Sequence, residues 1–165
     1  MTPRKFVDAR GTQYPTTRLD DLGVVEGERI PAADFAELRR EAGEGEQLLA
    51  AGDIRGAFEA FRRAASHIPD PLEAWNAAGW LLVALAECAI RAGDWKRAYR
   101  PMFDAMRCPG TFGNPWLHLR FGQIRLENND PKAADDLARA LRDGGRDMFD
   151  GLDPKYLALA EATRR

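Results

Sequence analysis

The sequence predicts an all-α fold built from helix hairpins, and three observations carry that prediction. From residue 33 onward, segments rich in Ala, Leu, Glu and Arg place apolar residues at a helical period. Paired stop and start residues, Gly52-Asp53, Gly93-Asp94 and Asn129-Asp130, punctuate these segments at intervals of 41 and 36 residues. Connections between them are short, and no convincing strand falls among them.

Residues 1–32 read as an irregular N-terminal arm and 33–165 as the helical domain. In the arm, Pro3, Gly11, Pro15, Gly23, Gly27 and Pro31 recur too closely for a helix, leaving a strand-like piece near Val24–Val25. The first helix spans 34–51; Gly52 suits the position past its end and Asp53 the N-cap of the next. That second helix, 54–67, carries a stripe of Ala57, Phe58, Phe61, Ala64, Ala65 and Ile68, and Pro69-Asp70-Pro71 closes it. A long third helix covers 72–92 and a shorter fourth covers 95–106. After a loop over 108–114, Pro115 sits at the first helical position of a fifth helix, 116–127. Asn129-Asp130-Pro131 introduces a sixth over 132–142, ended by Gly144-Gly145. Asp153 and Pro154 open the seventh, which runs to Thr163.

Inside each hairpin the spacing of small residues is the sharper signal. Gly45 is followed twelve residues on by Ala57, then by Phe61 and Ala64; Ala86 by Ala98, Met102 and Ala105; Gly122 by Ala134, Ala138 and Leu141. Small side chains at matched positions let two helix axes approach within about 8–10 Å. This pattern resembles the tetratricopeptide repeat (TPR), matched best at Gly45, Leu48, Ala57, Phe61, Ala64 and Pro69, and next at Leu82, Leu85, Ala86, Ala98 and Ala105. The resemblance covers 38–142 and implies an α-solenoid of about three repeats with a C-terminal capping helix. Seven extra residues between the first two anchors imply a third helix overhanging its neighbours by up to two turns. The segments 114–123 and 153–157 also resemble small bacterial TPR proteins. Some of those are encoded near polymorphic toxins, which implies a role as an immunity protein neutralising a co-encoded toxin.

The chain has 165 residues and 18.4 kDa, with 24 Lys and Arg against 26 Asp and Glu. That balance, with no basic run, speaks against a nucleic-acid partner. Two cysteines are too few for a disulfide-stapled scaffold. The start has positive charges but no apolar stretch behind them, so it does not read as a signal peptide. The longest apolar run, 79–90, is broken by Glu87 and shorter than the ~20 residues of a membrane span. The expectation is a cytoplasmic chain without a membrane partner.

No HExxH, GxSxG, glycine-rich phosphate loop or CxxC occurs, so no catalytic, metal or cofactor site is expected. Cys88 and Cys108 read as buried thiols, and His67 and His118 as structural. The TPR resemblance implies instead a concave groove lined by the first helix of each hairpin. On the first hairpin that face holds Arg39, Glu46 and Leu49; on the second Asn76, Trp80, Val83, Glu87 and Arg91; on the third Trp116, Leu119, Arg120, Gln123 and Glu127. Trp and Arg dominate interface energetics, and a bare Trp is costly. The expected function is therefore a non-enzymatic adaptor binding a protein or peptide. The alternatives are toxin neutralisation and a self-associating structural module whose tryptophans form a homodimer interface. Trp80 and Trp116 are either groove contacts or covered by neighbouring helices or the arm; Trp75 and Trp95 read as packing residues.

Overall fold

The computed structural model describes residues 30–109, 111 and 113–163, together with four short strands nearer the N-terminus. In the arm, β1 (Arg4–Val7) pairs antiparallel with β2 (Gln13–Thr16), and β3 (Val24–Val25) pairs with β4 (Glu28–Arg29). The arm, read as irregular from its breakers, thus holds two short antiparallel pairs. Phe, Val, Tyr and Thr between the breakers suit extended backbone, but each run is too short to show a period.

Seven helices come after the strands: α1 (Ala32–Ala50), α2 (Ile54–Ala65), α3 (Asn76–Arg91), α4 (Trp95–Ala105), α5 (Pro115–Glu127), α6 (Ala133–Gly144) and α7 (Pro154–Ala162). The third is shorter than its sequence predicts. Leu72–Ala74 forms a 3₁₀ turn and Trp75 is extended, with φ −111° and ψ 134°. Extended backbone there buries the Trp75 side chain to 7% exposure, and burial of so large a ring outweighs the helical hydrogen bonds forgone. The helix therefore starts four residues later than expected, at Asn76 instead of Leu72.

The stop-start pairs are three copies of one structure. Gly52, Gly93 and Asn129 all adopt positive φ, at 84°, 76° and 59°. The next amide in each copy reaches back to a carbonyl inside the preceding helix: Asp53 N–H to Leu48 O, Asp94 N–H to Ala89 O and Asp130 N–H to Arg125 O, at 2.8–2.9 Å. This closure satisfies carbonyls that the end of a helix leaves orphaned. Asp53 and Asp94 also cap the start of the second helix, accepting from Gly56 N–H and Arg97 N–H at 2.8 Å. In the third copy Asp130 accepts from Lys132 N–H at 2.9 Å, one residue before α6 begins.

Small residues line the hairpin seams, with one shift of register. Ala57, Phe61 and Ala64 of α2 are 0–1% exposed, and Ala98, Met102 and Ala105 of α4 are fully buried. In α6 the buried set is Ala133, Leu137 and Ala140, at 0–1%, while Ala134 and Ala138 are half-buried. The predicted Ala134–Ala138–Leu141 series is thus one residue late, and the small–large–small spacing of the first two hairpins recurs intact in the third. The cause lies in the turn. Ala57 and Ala98 bond back four residues, to Asp53 O and Asp94 O, whereas Ala133 bonds back three, to Asp130 O. A tighter first turn, begun at Pro131, removes one residue and rotates the whole helix by about 100°.

The chain divides into two compact units, Met1–Phe112 and Gly113–Arg165. In the first, α1 packs on α2, α2 on α3 and α3 on α4; in the second, α5 packs on α6 and α6 on α7. The core of the second unit joins Leu119, Leu137, Ala140, Leu141, Phe149, Tyr156 and Ala160.

Candidate functional site

The register shared by the three hairpins defines one face on their first helices. Counted back from Gly52, Gly93 and Asn129, the thirteenth residue is Arg39, Trp80 or Trp116, the tenth Ala42, Val83 or Leu119, and the sixth Glu46, Glu87 or Gln123. These steps of three and four keep the positions on one side of a helix.

Along α1 this face is open at Arg39, whose guanidinium lies 6.0 Å from the Phe35 ring centre, while Ala42 is fully buried and Glu46 half-buried. On α3 it is not. Trp80 is 9% exposed and meets the Phe61 ring edge-on, with centroids 5.8 Å apart; Val83 and Glu87 are 1–2% exposed, and Arg91 is half-buried. The Asn76 side chain lies outside the described residues. On α5, Trp116, Leu119, Arg120 and Gln123 are all buried. Arg120 donates to Gln123 Oε1 at 2.9 Å, and its guanidinium lies 5.8 Å from the Trp116 ring centre. Of the thirteen residues that the sequence places on this face, Arg39 is exposed and Glu46, Leu49, Arg91 and Glu127 are half-buried. Trp80, Val83, Glu87, Trp116, Leu119, Arg120 and Gln123 are buried, in helices buried continuously from Ala77 to Ala89 and from Trp116 to Ile124, so the two tryptophans are covered rather than bare.

Buried polar clusters in the first and third hairpins had no clear mark in the sequence. Glu41, 7% exposed on α1, accepts from His67 Nε2 at 3.0 Å and Arg63 Nε at 3.3 Å. On α5, His118 Nδ1 donates to Asp136 Oδ1 of α6 at 2.8 Å, and Arg125 donates to the other oxygen of that carboxylate. Arg125 also lies over the Phe121 ring at 3.9 Å. Glu41 and His118 stand at the same register, eleven residues before Gly52 and Asn129, where the middle hairpin has Leu82. The signal was a polar side chain at an inward position of the first helix, matched by one of opposite charge on the second. The His118 imidazole is buried, and that of His67 is partly exposed just past the end of α2.

Cys88 and Cys108 are free and buried, and burial pushes both thiols up to about 11. Among the described residues no cluster of three metal-ligating side chains occurs, and no helix is long and apolar enough to cross a membrane.

No family model matches the chain, and no curated protein matches it. Among solved structures, the chain is similar to the Yersinia enterocolitica type III secretion chaperone SycD in complex with a peptide of the translocator YopD. The two share 14% identity and a TM-score of 0.57, over 77% of this chain and 92% of that one. The likeness shows the fold, and together with the three hairpins it establishes an all-helical, TPR-like helical-repeat architecture.

Proposed function

We propose that the chain is a non-enzymatic, protein- or peptide-binding adaptor that engages its partner through the first helices of its hairpins. The observation that carries this reading is the shared register, which sets Arg39, Trp80 and Trp116 at one step and Glu46, Glu87 and Gln123 at another. Large amphipathic side chains repeated at one helical position of each hairpin suit recognition of a polypeptide. The peptide-bound state of the similar chaperone lends support. The non-enzymatic part rests on the histidines: the sequence holds two, and both are engaged with carboxylates. Asn76, Val83, Arg91, Leu119 and Arg120 complete the proposed contact set.

Capture from the native host followed by mass spectrometry tests the reading, with Arg39→Ala combined with Glu46→Ala as the variant because both side chains reach the surface of α1. Loss of at least about tenfold in affinity for the captured polypeptide, or ~1.4 kcal/mol, is expected with the helical signal unchanged. Equal capture by the double variant discards this face. Light scattering that rises with concentration and no captured partner would favour self-association instead.

A further inference from the structure

On α4 an aromatic side chain stands at a step where the other hairpins close without one. The buried seam of this helix is Ala98, Met102 and Ala105. At about 100° per residue, Trp95, Tyr99 and Phe103 form a strip a quarter-turn round from that seam. Arg97 points to the opposite flank, its guanidinium 5.8 Å from the Phe58 ring centre on α2. The strip therefore lies on the flank of α4 turned away from α2. Trp95 and Tyr99 are half-buried, and Phe103, at 36%, is the large hydrophobic side chain that stands exposed among the described residues. The Tyr99 and Phe103 rings stack with centroids 6.5 Å apart. Counted five residues on from the seam alanines Ala57, Ala98 and Ala133, α2 carries Arg62 and α6 carries Ala138 where α4 carries Phe103. Hairpin packing thus makes no demand for a ring at this step.

The far margin of the strip is basic. Lys96 and Arg100 fall within about 60° of Phe103 around the helix. The Arg107 guanidinium lies 6.0 Å from the Phe103 ring centre. Two carboxylates stand near these three cations. Asp104, roughly 140° round from Tyr99, pairs with Arg100 at 2.7 Å from the side away from the rings. Glu73, in the 3₁₀ turn ahead of α3, lies 3.6 Å from Arg107. The balance at the margin is positive, and a chain laid over the rings meets cations first. We propose that this strip docks an acidic, amphipathic segment of another polypeptide, its apolar side chains against Tyr99 and Phe103 and its carboxylates toward Lys96 and Arg107. Aromatic anchors supply most of the energy of such contacts, and flanking charge sets orientation and excludes wrong partners. A second copy of this chain fits less well, because pairing the strip with itself brings Lys96 and Arg107 toward like charges. The strip belongs to a second helix of a hairpin, so it is a surface apart from the first-helix face of the adaptor reading.

A random peptide library displayed on phage, selected on the full chain and counter-selected on Phe103→Ala, tests the assignment. Alanine is the residue α6 carries at this step, so the variant leaves the seam of α4 intact. Survivors that combine Leu, Phe or Trp with Asp or Glu are the expected result. A synthetic survivor should lose at least about tenfold in affinity on Phe103→Ala. Lys96→Ala combined with Arg107→Ala should weaken it by at least about threefold. Its affinity for Arg39→Ala combined with Glu46→Ala should be unchanged, which keeps this result apart from the capture test of the first-helix face. Neutral or basic survivors, survivors indifferent to the Lys96 and Arg107 changes, or no survivors overturn the proposal. So does light scattering that rises with concentration and is abolished by Phe103→Ala, since that would seat a second copy on the strip. Phe103→Gln provides the same readout should Phe103→Ala disturb the fold.

Discussion

Gly43 and Gly45 lie two residues apart on α1 and have opposite reasons to be glycine. A Cβ on Gly45 would stand 2.6–2.9 Å from the Phe61 ring, whereas one on Gly43 meets nothing within 4 Å. Phe61 is 1% exposed and has nowhere to retreat. Gly45→Ala is therefore expected to destabilise by about 1–3 kcal/mol through overpacking. Gly43→Ala should stabilise by about 0.5–1 kcal/mol through helix propensity alone. Urea midpoints for the two variants, moving in opposite directions, check the pair. Both glycines were plain in the sequence, and the twelve-residue spacing to Ala57 marked Gly45 as the one at the seam. Burial of Trp80 and Trp116 had no such mark, since an amphipathic face reads alike whether water or chain covers it.

At the scale of elements, the third hairpin tests the register. Ala133 is 1% exposed and Ala134 half-buried, so Ala133→Leu should cost about 1–3 kcal/mol and Ala134→Leu distinctly less. Thermal midpoints that ranked them the other way would restore the register first read from the sequence. The one-residue shift was hidden because it arises in hydrogen bonding at Asp130-Pro131, where an i+3 closure replaces an i+4 one. A second polar tie joins α5 to α7. Tyr156 Oη donates to Glu127 Oε1 at 2.6 Å and Lys155 Nζ lies 2.6 Å from the same oxygen. Burial opposes ionisation of Glu127, but these two hydrogen bonds outweigh it and hold its pKa below the ordinary 4.5. A carboxyl whose pKa is lowered by folding adds stability above its ordinary value and loses it as pH falls through the folded one. Stability should therefore decline on acidification below pH 4.5, and Glu127→Gln should flatten that part of the profile, measured as urea midpoint against pH.

Over the whole molecule, each hairpin seam is a local affair: Gly45 meets Phe61 and Gly122 meets Leu137, with no shared neighbour. Gly45→Ala and Gly122→Ala belong to different compact units and should add within about 0.5 kcal/mol in the double variant. A larger coupling energy would mean that the two seams are not independent. The sequence by itself determined that the chain is helical, where six of its seven helices start, how the hairpins end and which small residues bring helix pairs together. These features arise from local chemistry: caps, glycine at positive φ and the 3.6-residue period act within a few residues of each other. The tertiary structure alone decided that Trp75 leaves the helix to enter the core, that α6 turns by one position, and that Trp80 and Val83 of α3 and Trp116 and Leu119 of α5 are buried while Arg39 of α1 stays exposed. Each of those outcomes depends on which distant surface comes to lie against a residue, and no local pattern encodes that.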